Sequence, residues 1–550
     1  MRKKLSILLA IALLVCSIAP VALADQKVDL SGKLVILNTN DVHGYAITDT
    51  SVPSMGYAQI AAYKKLALSA GAEVLLLDAG DATYGQPIIN LSKGLDAVKF
   101  MNAVGYDAMC PGNHEFDCGI DNLLQLADAA EFKVLAANIT RTADGTTFFA
   151  PNTIFEKNGW KIGVFGLDTP EALTKANPAL MKGVSIAMNE ELYACAQAQV
   201  DELANAGCDL IICIGHLGID DESTGNRSLD VIANTNGIDL FIDGHSHSEI
   251  VQTVDQKAVE GQETPDTTLL ISTGCYSQNL GEIVFDGETL TATLIPASNA
   301  VVPTIFGDEE VSAMVAAVND EINAQLSGVF AKTEVMLDGN RDPGVRTQET
   351  NLGDFAADAI LWAANNAYSQ PVAAAITNGG GIRASIDVGD ISMMDMKTVF
   401  PFGNTIAVLT VKGSELLEAV EAATSAAPTA LGAFPQVSGI EFTVDTSVEY
   451  VKGEQYPNTT YYAPANPGSR VTIATVGGEA FDPEKDYVIA TNNFTAAGGD
   501  TYYCFGYAYS QTGYDTTIPL EDALVNYTAE VLGGVIGETY AAPAGRITIK

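Results

Sequence analysis

Five histidines are spread over 550 residues, and each stands in a short polar cluster at the end of an apolar run. The clusters read Asp41-Val-His43-Gly, Gly112-Asn-His-Glu-Phe-Asp117, Gly215-His216 and Gly244-His-Ser-His247, with Gly80-Asp81 between the first two. From Lys33 to about Pro303 apolar runs such as Leu34–Leu37, Val74–Leu77, Ile162–Phe165, Leu210–Ile214 and Leu240–Ile242 alternate with helix-like segments. Strands alternating with helices predict an α/β fold. In such sheets ligands sit beyond the carboxyl ends of the strands, where these clusters fall.

Neutral imidazole, carboxylate and amide oxygen together suit divalent ions of the zinc, manganese, cobalt or iron type. The expected ligand set is Asp41, His43, Asp81, Asn113, His216, His245 and His247. Two dications offset by Asp41 and Asp81 keep a surplus of about +2, which attracts phosphate, and the neutral amide of Asn113 adds a ligand without erasing it. Asp81 is the natural shared ligand, because a carboxylate has two oxygens and can hold ions ~3.5–4 Å apart. A pair of such ions also brings the ionisation of water toward neutral pH.

A formal charge of −40 excludes nucleic acid polymers as partners and leaves small molecules, for which any phosphate site must make its own positive field. The chain opens with Met1-Arg-Lys-Lys4, an apolar stretch and Ala22-Leu-Ala24 before Asp25, the pattern of a cleaved export leader over residues 1–24. An uncleaved anchor is the competing reading, but Ser17 and Pro20 interrupt a run already marginal for a span. Once the leader is removed, no membrane span is expected. Of eight cysteines Cys16 lies in the leader, so the remainder is odd and cannot pair completely within the chain. Whether Cys110 meets Cys118, and the oligomeric state, stay open.

Val311, Met314, Val315, Val318 and Ile322 recur at helical spacing, which predicts a connector helix at 306–328 between a first domain at 30–305 and a second at 329–550. The second region predicts helices at 352–364 and 414–423 and strands at 406–411 and 487–490. It also holds Arg341, Arg346 and Arg383, the last in Asn378-Gly-Gly-Gly-Ile-Arg383, where glycines allow close backbone approach and guanidinium forks suit phosphate or carboxylate.

Taken together, these motifs resemble the calcineurin-like metallophosphoesterases, and more closely the exported 5′-nucleotidase and UDP-sugar hydrolase family, over about Lys33 to Ile549. The resemblance implies an N-terminal four-layer αββα metallophosphoesterase domain and a C-terminal α/β substrate-binding domain. It implies one ion held by Asp41, His43, Asp81 and His247, and a second by Asp81, Asn113, His216 and His245. His114 with Asp117 would be the catalytic pair. If a helix begins after Asn113 the two share a face, so the carboxylate can orient an imidazolium. Pro401-Phe402-Gly-Asn404 and Asn493-Phe494-Thr-Ala-Ala-Gly-Gly-Asp500 resemble the family's nucleoside loops. By that likeness Phe402 and Phe494 sandwich the base, Asn378 and Asn404 line its pocket, Asp500 takes the ribose hydroxyls, and Arg341, Arg346 and Arg383 meet phosphate. Arg341 and Arg346 are one residue further apart than in the family pattern, through Pro343-Gly344. The implied activity is removal of the 5′-phosphate from nucleoside monophosphates, with UDP-sugars and nucleoside di- or triphosphates as further substrates. The rivals are a 2′,3′-cyclic nucleotide phosphodiesterase with 3′-nucleotidase activity, disfavoured by Asp117, a thiosulfate-ester hydrolase, and a catalytically silent surface binding protein.

Overall fold

The computed structural model describes residues 6–7, 29–49, 53–259, 264–297, 307–457 and 459–550. Apart from residues 6–7, the leader expected at 1–24 lies outside these. The described residues up to Leu173 and from Leu180 to Glu321 form one unit, and Thr174–Ala179 with Ile322–Lys550 form a second.

Two sheets build the first unit. One runs in the order Ser6–Ile7, Thr289–Pro296, Asn279–Phe285, Leu34–Thr39, Glu73–Asp78, Ala108–Met109, Lys133–Val134. The other runs Glu249–Asp255, Thr267–Thr273, Leu240–Ile242, Leu210–His216, Trp160–Asp168, Asn152–Lys157. Both are parallel at the centre, as Leu34–Thr39 beside Glu73–Asp78 and Trp160–Asp168 beside Leu210–His216 show.

Alternation along the strands explains the layering, because successive side chains leave a strand on opposite faces. Leu34, Ile36, Leu75 and Leu77 of the first sheet pack with Ile162, Val164, Leu210, Ile212 and Ile214 of the second in one buried cluster. Val35, Leu37, Val74 and Leu76 point the other way, into a cluster with Tyr57, Ile60, Val98 and Met101 from the helices Gly56–Ser69 and Leu95–Val104. On the far side Phe165, Ile211 and Cys213 pack against Leu192, Val200 and Val231 of the helices Glu190–Asn205 and Ser228–Asn234. Strands buried on both faces read as unbroken apolar runs, which is how they stood out in the sequence. The result is the four-layer αββα arrangement.

The expected helix between the two regions spans Glu309–Leu326, and its Val311 and Val315 pack into the first unit's outer core. In the second unit a five-stranded sheet runs Pro435–Ser438, Ala374–Asn378, Asp486–Asn492, Thr405–Lys412, Tyr514–Pro519. Leu409 and Val411 on one face meet Leu416 and Val420 of the helix Gly413–Ala423. Ile406 and Val408 on the other meet Phe355 and Ile360 of Asn351–Ala367. Thr350 caps the latter helix by accepting from Gly353 N. Cys110 and Cys118 do not meet: both are free thiols. No helix among the described residues is long and apolar enough to cross a membrane.

The segment after Lys133–Val134 also meets the second sheet through backbone. Ala137 N donates to Gly166 O at 2.9 Å, and a Cβ on Gly166 would lie 1.9 Å from the Leu135 carbonyl oxygen. Gly166→Ala should therefore lower the urea midpoint of the first transition, a loss of about 1–3 kcal/mol. A midpoint equal to that of the parent chain would show that the carbonyl yields freely.

Candidate metal centre

Every expected ligand lies at a strand's carboxyl end. Asp41 and His43 follow Leu34–Thr39, Asp81 follows Glu73–Asp78, and Asn113 opens a single turn, Asn113–Phe116, shortly after Ala108–Met109. His216 ends its own strand, and His245 and His247 follow Leu240–Ile242. Asp41, His43, Asp81, His245 and His247 all adopt positive φ, between 48° and 73°. Such a cluster of left-handed non-glycine residues marks turns held in place to aim side chains.

The aim converges. His247 Nε2 lies 3.3 Å from both Asp41 Oδ1 and His43 Nε2. His43 Nε2 is 3.6 Å from Asp81 Oδ2, and His216 Nε2 is 3.2 Å from the same oxygen. Three ion-sized groups result: Asp41 with His43 and His247, Asp41 with Asp81 and His216, and His43 with Asp81 and His114. Asp41, His43 and Asp81 each belong to two of them.

Outer nitrogens set the tautomers. His43 Nδ1 donates to Tyr84 O at 2.9 Å and His216 Nδ1 to Ala79 O at 2.6 Å, so each ring turns Nε2 toward the cluster. His216 Nε2 and Asn113 Oδ1 are buried and complete no hydrogen bond. Buried polar atoms normally find a partner, so these two orphans, among carboxylates and imidazoles, fit a divalent ion.

Electrostatics agree. Burial would raise Asp41, but His247 and His216 outweigh it and hold the carboxyl at about 2. Burial likewise opposes ionisation of Asp81, yet His216, His114 and His43 carry it well below the usual range. His43 is pushed down to about 3, first by burial, and is therefore a neutral imidazole at pH 7. Burial also works against protonation of His216, but Asp81 and Asp41 take it well above the ordinary value.

His114 Nδ1 lies 2.7 Å from Asp117 Oδ2, and His114 N donates to Asp81 Oδ1 at 2.9 Å. The pair sits on one short 3-10 turn rather than at the start of a longer helix. Its ring centroid is 5.2 Å from that of His43, so the pair borders the ligand cluster.

Three contributions were not read in the sequence. Glu115 is a buried clamp: Oε1 accepts from Ala82 N, Thr83 N and Thr83 Oγ1, and Oε2 from Asp81 N and Gly112 N. It fastens the Asp81 loop to the Asn113 turn. Tyr276 places its ring 5.8 Å from His43 and 5.4 Å from His247, in another left-handed stretch that includes Ser277. Glu171 accepts from His245 Nε2 at 3.0 Å, and His245 stands outside the three ion-sized groups. Neither Tyr276 nor Glu171 lies near a histidine in sequence, and only Glu115 carried a signal, its place between His114 and Phe116.

In the second unit Asn378 Nδ2 donates to Asp500 Oδ2 at 3.1 Å, and Asn492 Nδ2 to Asn378 Oδ1 at 3.0 Å. Asn378 is thus a buried link that orients Asp500, which also has positive φ, at 50°. The glycine run is needed for close packing: a Cβ on Gly379 would lie 1.9 Å from Val345 O. Arg383 holds its guanidinium 5.6 Å over the half-buried Phe402 ring. Phe494 is buried with its ring against Gly499. Arg346 Nη1 and the carboxylate of Asp500 both border Gly432. Asn404 is half-buried and Arg341 exposed.

Residues 34–249 match the calcineurin-like phosphoesterase family and residues 329–507 the 5′-nucleotidase C-terminal domain. The chain is 33% identical over 523 residues to the trifunctional nucleotide phosphoesterase protein YfkN of Bacillus subtilis (strain 168); this covers 88% of the chain but 33% of YfkN, so the chain spans about a third of that relative's length. It is 30% identical over 510 residues to the 5′-nucleotidase of Diplobatis ommata, covering 86% of this chain and 83% of the other. The crystal structure of a 5′-nucleotidase precursor from Thermus thermophilus superposes with a TM-score of 0.75 at 28% identity, over 94% of this chain and 99% of that one. With both halves matched, the chain belongs to the 5′-nucleotidase family and is a metal-dependent phosphoric ester hydrolase.

Proposed function

We propose that this protein is an exported enzyme that removes the 5′-phosphate from nucleoside monophosphates, and that UDP-sugars and nucleoside di- or triphosphates can present a phosphate to the same centre. The observation that carries the reading is the His114–Asp117 pair, joined at 2.7 Å beside the cluster around Asp81. The leader pattern supports export.

Asp41, His43, Asp81 and His247 would hold one divalent ion, and Asp81, Asn113, His216 and His245 the other. When bound, the two ions offset phosphate charge and make water acidic enough to act as a nucleophile near neutral pH. Asp81 serves both sides through its carboxylate, with Oδ1 fixed by the His114 amide and Oδ2 facing His216 and His43. The Asn113 amide contributes an oxygen without charge, which keeps the local field positive in an acidic protein. When His114 is protonated, Asp117 accepts its Nδ1–H, and its Nε2–H can donate to a phosphate oxygen or to the departing 5′-oxygen.

Nucleoside recognition belongs to the second unit. Phe402 and Phe494 supply aromatic faces, and base stacking is worth ~1–3 kcal/mol. Asp500, oriented by Asn378, would accept from ribose hydroxyls. Arg346 and Arg383 would meet phosphate oxygens, with Arg341 and Asn404 at the margin.

His114→Ala should cut turnover of AMP by ~10² or more, while elemental analysis still finds the parent's ion content; full turnover would remove His114 from the chemistry. Phe402→Ala combined with Phe494→Ala should raise KM for AMP about tenfold and leave bis(4-nitrophenyl) phosphate hydrolysis untouched. Equal losses on both substrates would contradict the stacking role. Asp81→Ala should empty both ion positions, so two ions per chain after this change would rule out a shared carboxylate. A panel of AMP, UDP-glucose and 2′,3′-cyclic AMP tests the activity itself, and preference for the cyclic substrate would overturn it.

A further inference from the structure

The ring ligands are not alike. A backbone carbonyl holds the outer nitrogen of His43 and of His216, and in both rings that nitrogen is Nδ1. His245 is held the other way round: its Nε2 is 3.0 Å from Oε2 of Glu171, a fully buried carboxylate on the loop after Trp160–Asp168. The second oxygen of Glu171 takes the hydroxyl of Ser223, itself buried. An ionised carboxylate can only accept, so the proton of the His245 ring sits on Nε2 and the lone pair on Nδ1. The backbone of His245 is fixed at the same time, with φ of 73° and its N–H donating to Asp41 Oδ2 at 3.0 Å. Its ring centroid lies 5.1 Å from that of His216.

We propose that Glu171 is a positioning residue for one ion only: it fixes His245 as the Nε2–H tautomer, so that this ligand binds through Nδ1 and donates more strongly than a ring backed by a neutral carbonyl. A carboxylate behind an imidazole ligand raises its basicity, and losing such a partner weakens binding by ~10–100-fold. The ion shared by Asp81, Asn113, His216 and His245 depends on Glu171, and the ion at His43 and His247 does not. This inference rests on the two-ion reading given above.

The test uses the full chain stripped with chelator and reloaded across buffered free Mn²⁺ concentrations, with ions per chain counted by elemental analysis. The parent should fill in two steps. Glu171→Ala should move one step to ~10–100-fold higher Mn²⁺ and leave the other in place. Glu171→Gln, of equal size and with a neutral acceptor, should move the same step by less while the metal-free protein melts as the parent does. If Glu171→Ala does not fold, Glu171→Gln decides. Parent-like filling of both steps in Glu171→Gln, or a joint weakening of both steps with a lower melting temperature of the metal-free chain, would overturn the inference while the parent's two steps leave the two-ion reading standing. A parent that binds fewer than two ions would overturn both.

Discussion

Asp81 is fixed from behind before it meets anything in front. Its amide, the two that follow it, the Thr83 hydroxyl and the Gly112 amide all donate to one buried carboxylate, Glu115. Charge-assisted bonds to backbone donors are among the stronger hydrogen bonds in proteins, and this set ties the loop after one strand to the turn after the next. The Asp81 side chain can then face His216 and His43 while its other oxygen receives the His114 amide. The Asp81 loop and the turn that carries Asn113, His114 and Asp117 are thereby held together. Holding such groups to a fraction of an ångström is what an active site requires of its surroundings.

Charge sets the second theme. The chain carries a net charge of −40, yet its centre must welcome phosphate. Imidazoles and an amide supply most of the donors around Asp41 and Asp81, so carboxylates are kept few near the ions. Glu171 places a further carboxylate behind His245. In the two-ion reading the field that meets phosphate is local and short in range, and it would rise and fall with ion occupancy.

Much of this was legible in the sequence because apolar runs and histidine clusters follow simple geometry. A strand buried on both faces leaves a continuous hydrophobic signature, and a ligand at its carboxyl end leaves a polar one directly after. Supporting residues leave none. Glu171 reaches His245 across 74 positions, and nothing in Asp168-Thr-Pro-Glu171 distinguishes it from any other loop carboxylate. Asn378 was read as a pocket wall; its buried bonds to Asp500 and Asn492 depend on two strand ends meeting the loop after Asn493–Ala496, which no local pattern encodes. The same holds for Phe494, whose burial against Gly499 is a matter of packing rather than of composition.

The positive φ angles at Asp41, His43, Asp81, His245 and His247 bear on any effort to build such a centre elsewhere. Ordinary helices and strands never present side chains from that backbone geometry, and glycine, which adopts it at least cost, has no side chain to offer. A transplant of the coordinating residues onto a foreign scaffold would carry the right atoms on wrongly pitched stems. The portable unit is the set of tight corners together with their anchoring carboxylate, and the donors are only its visible tips.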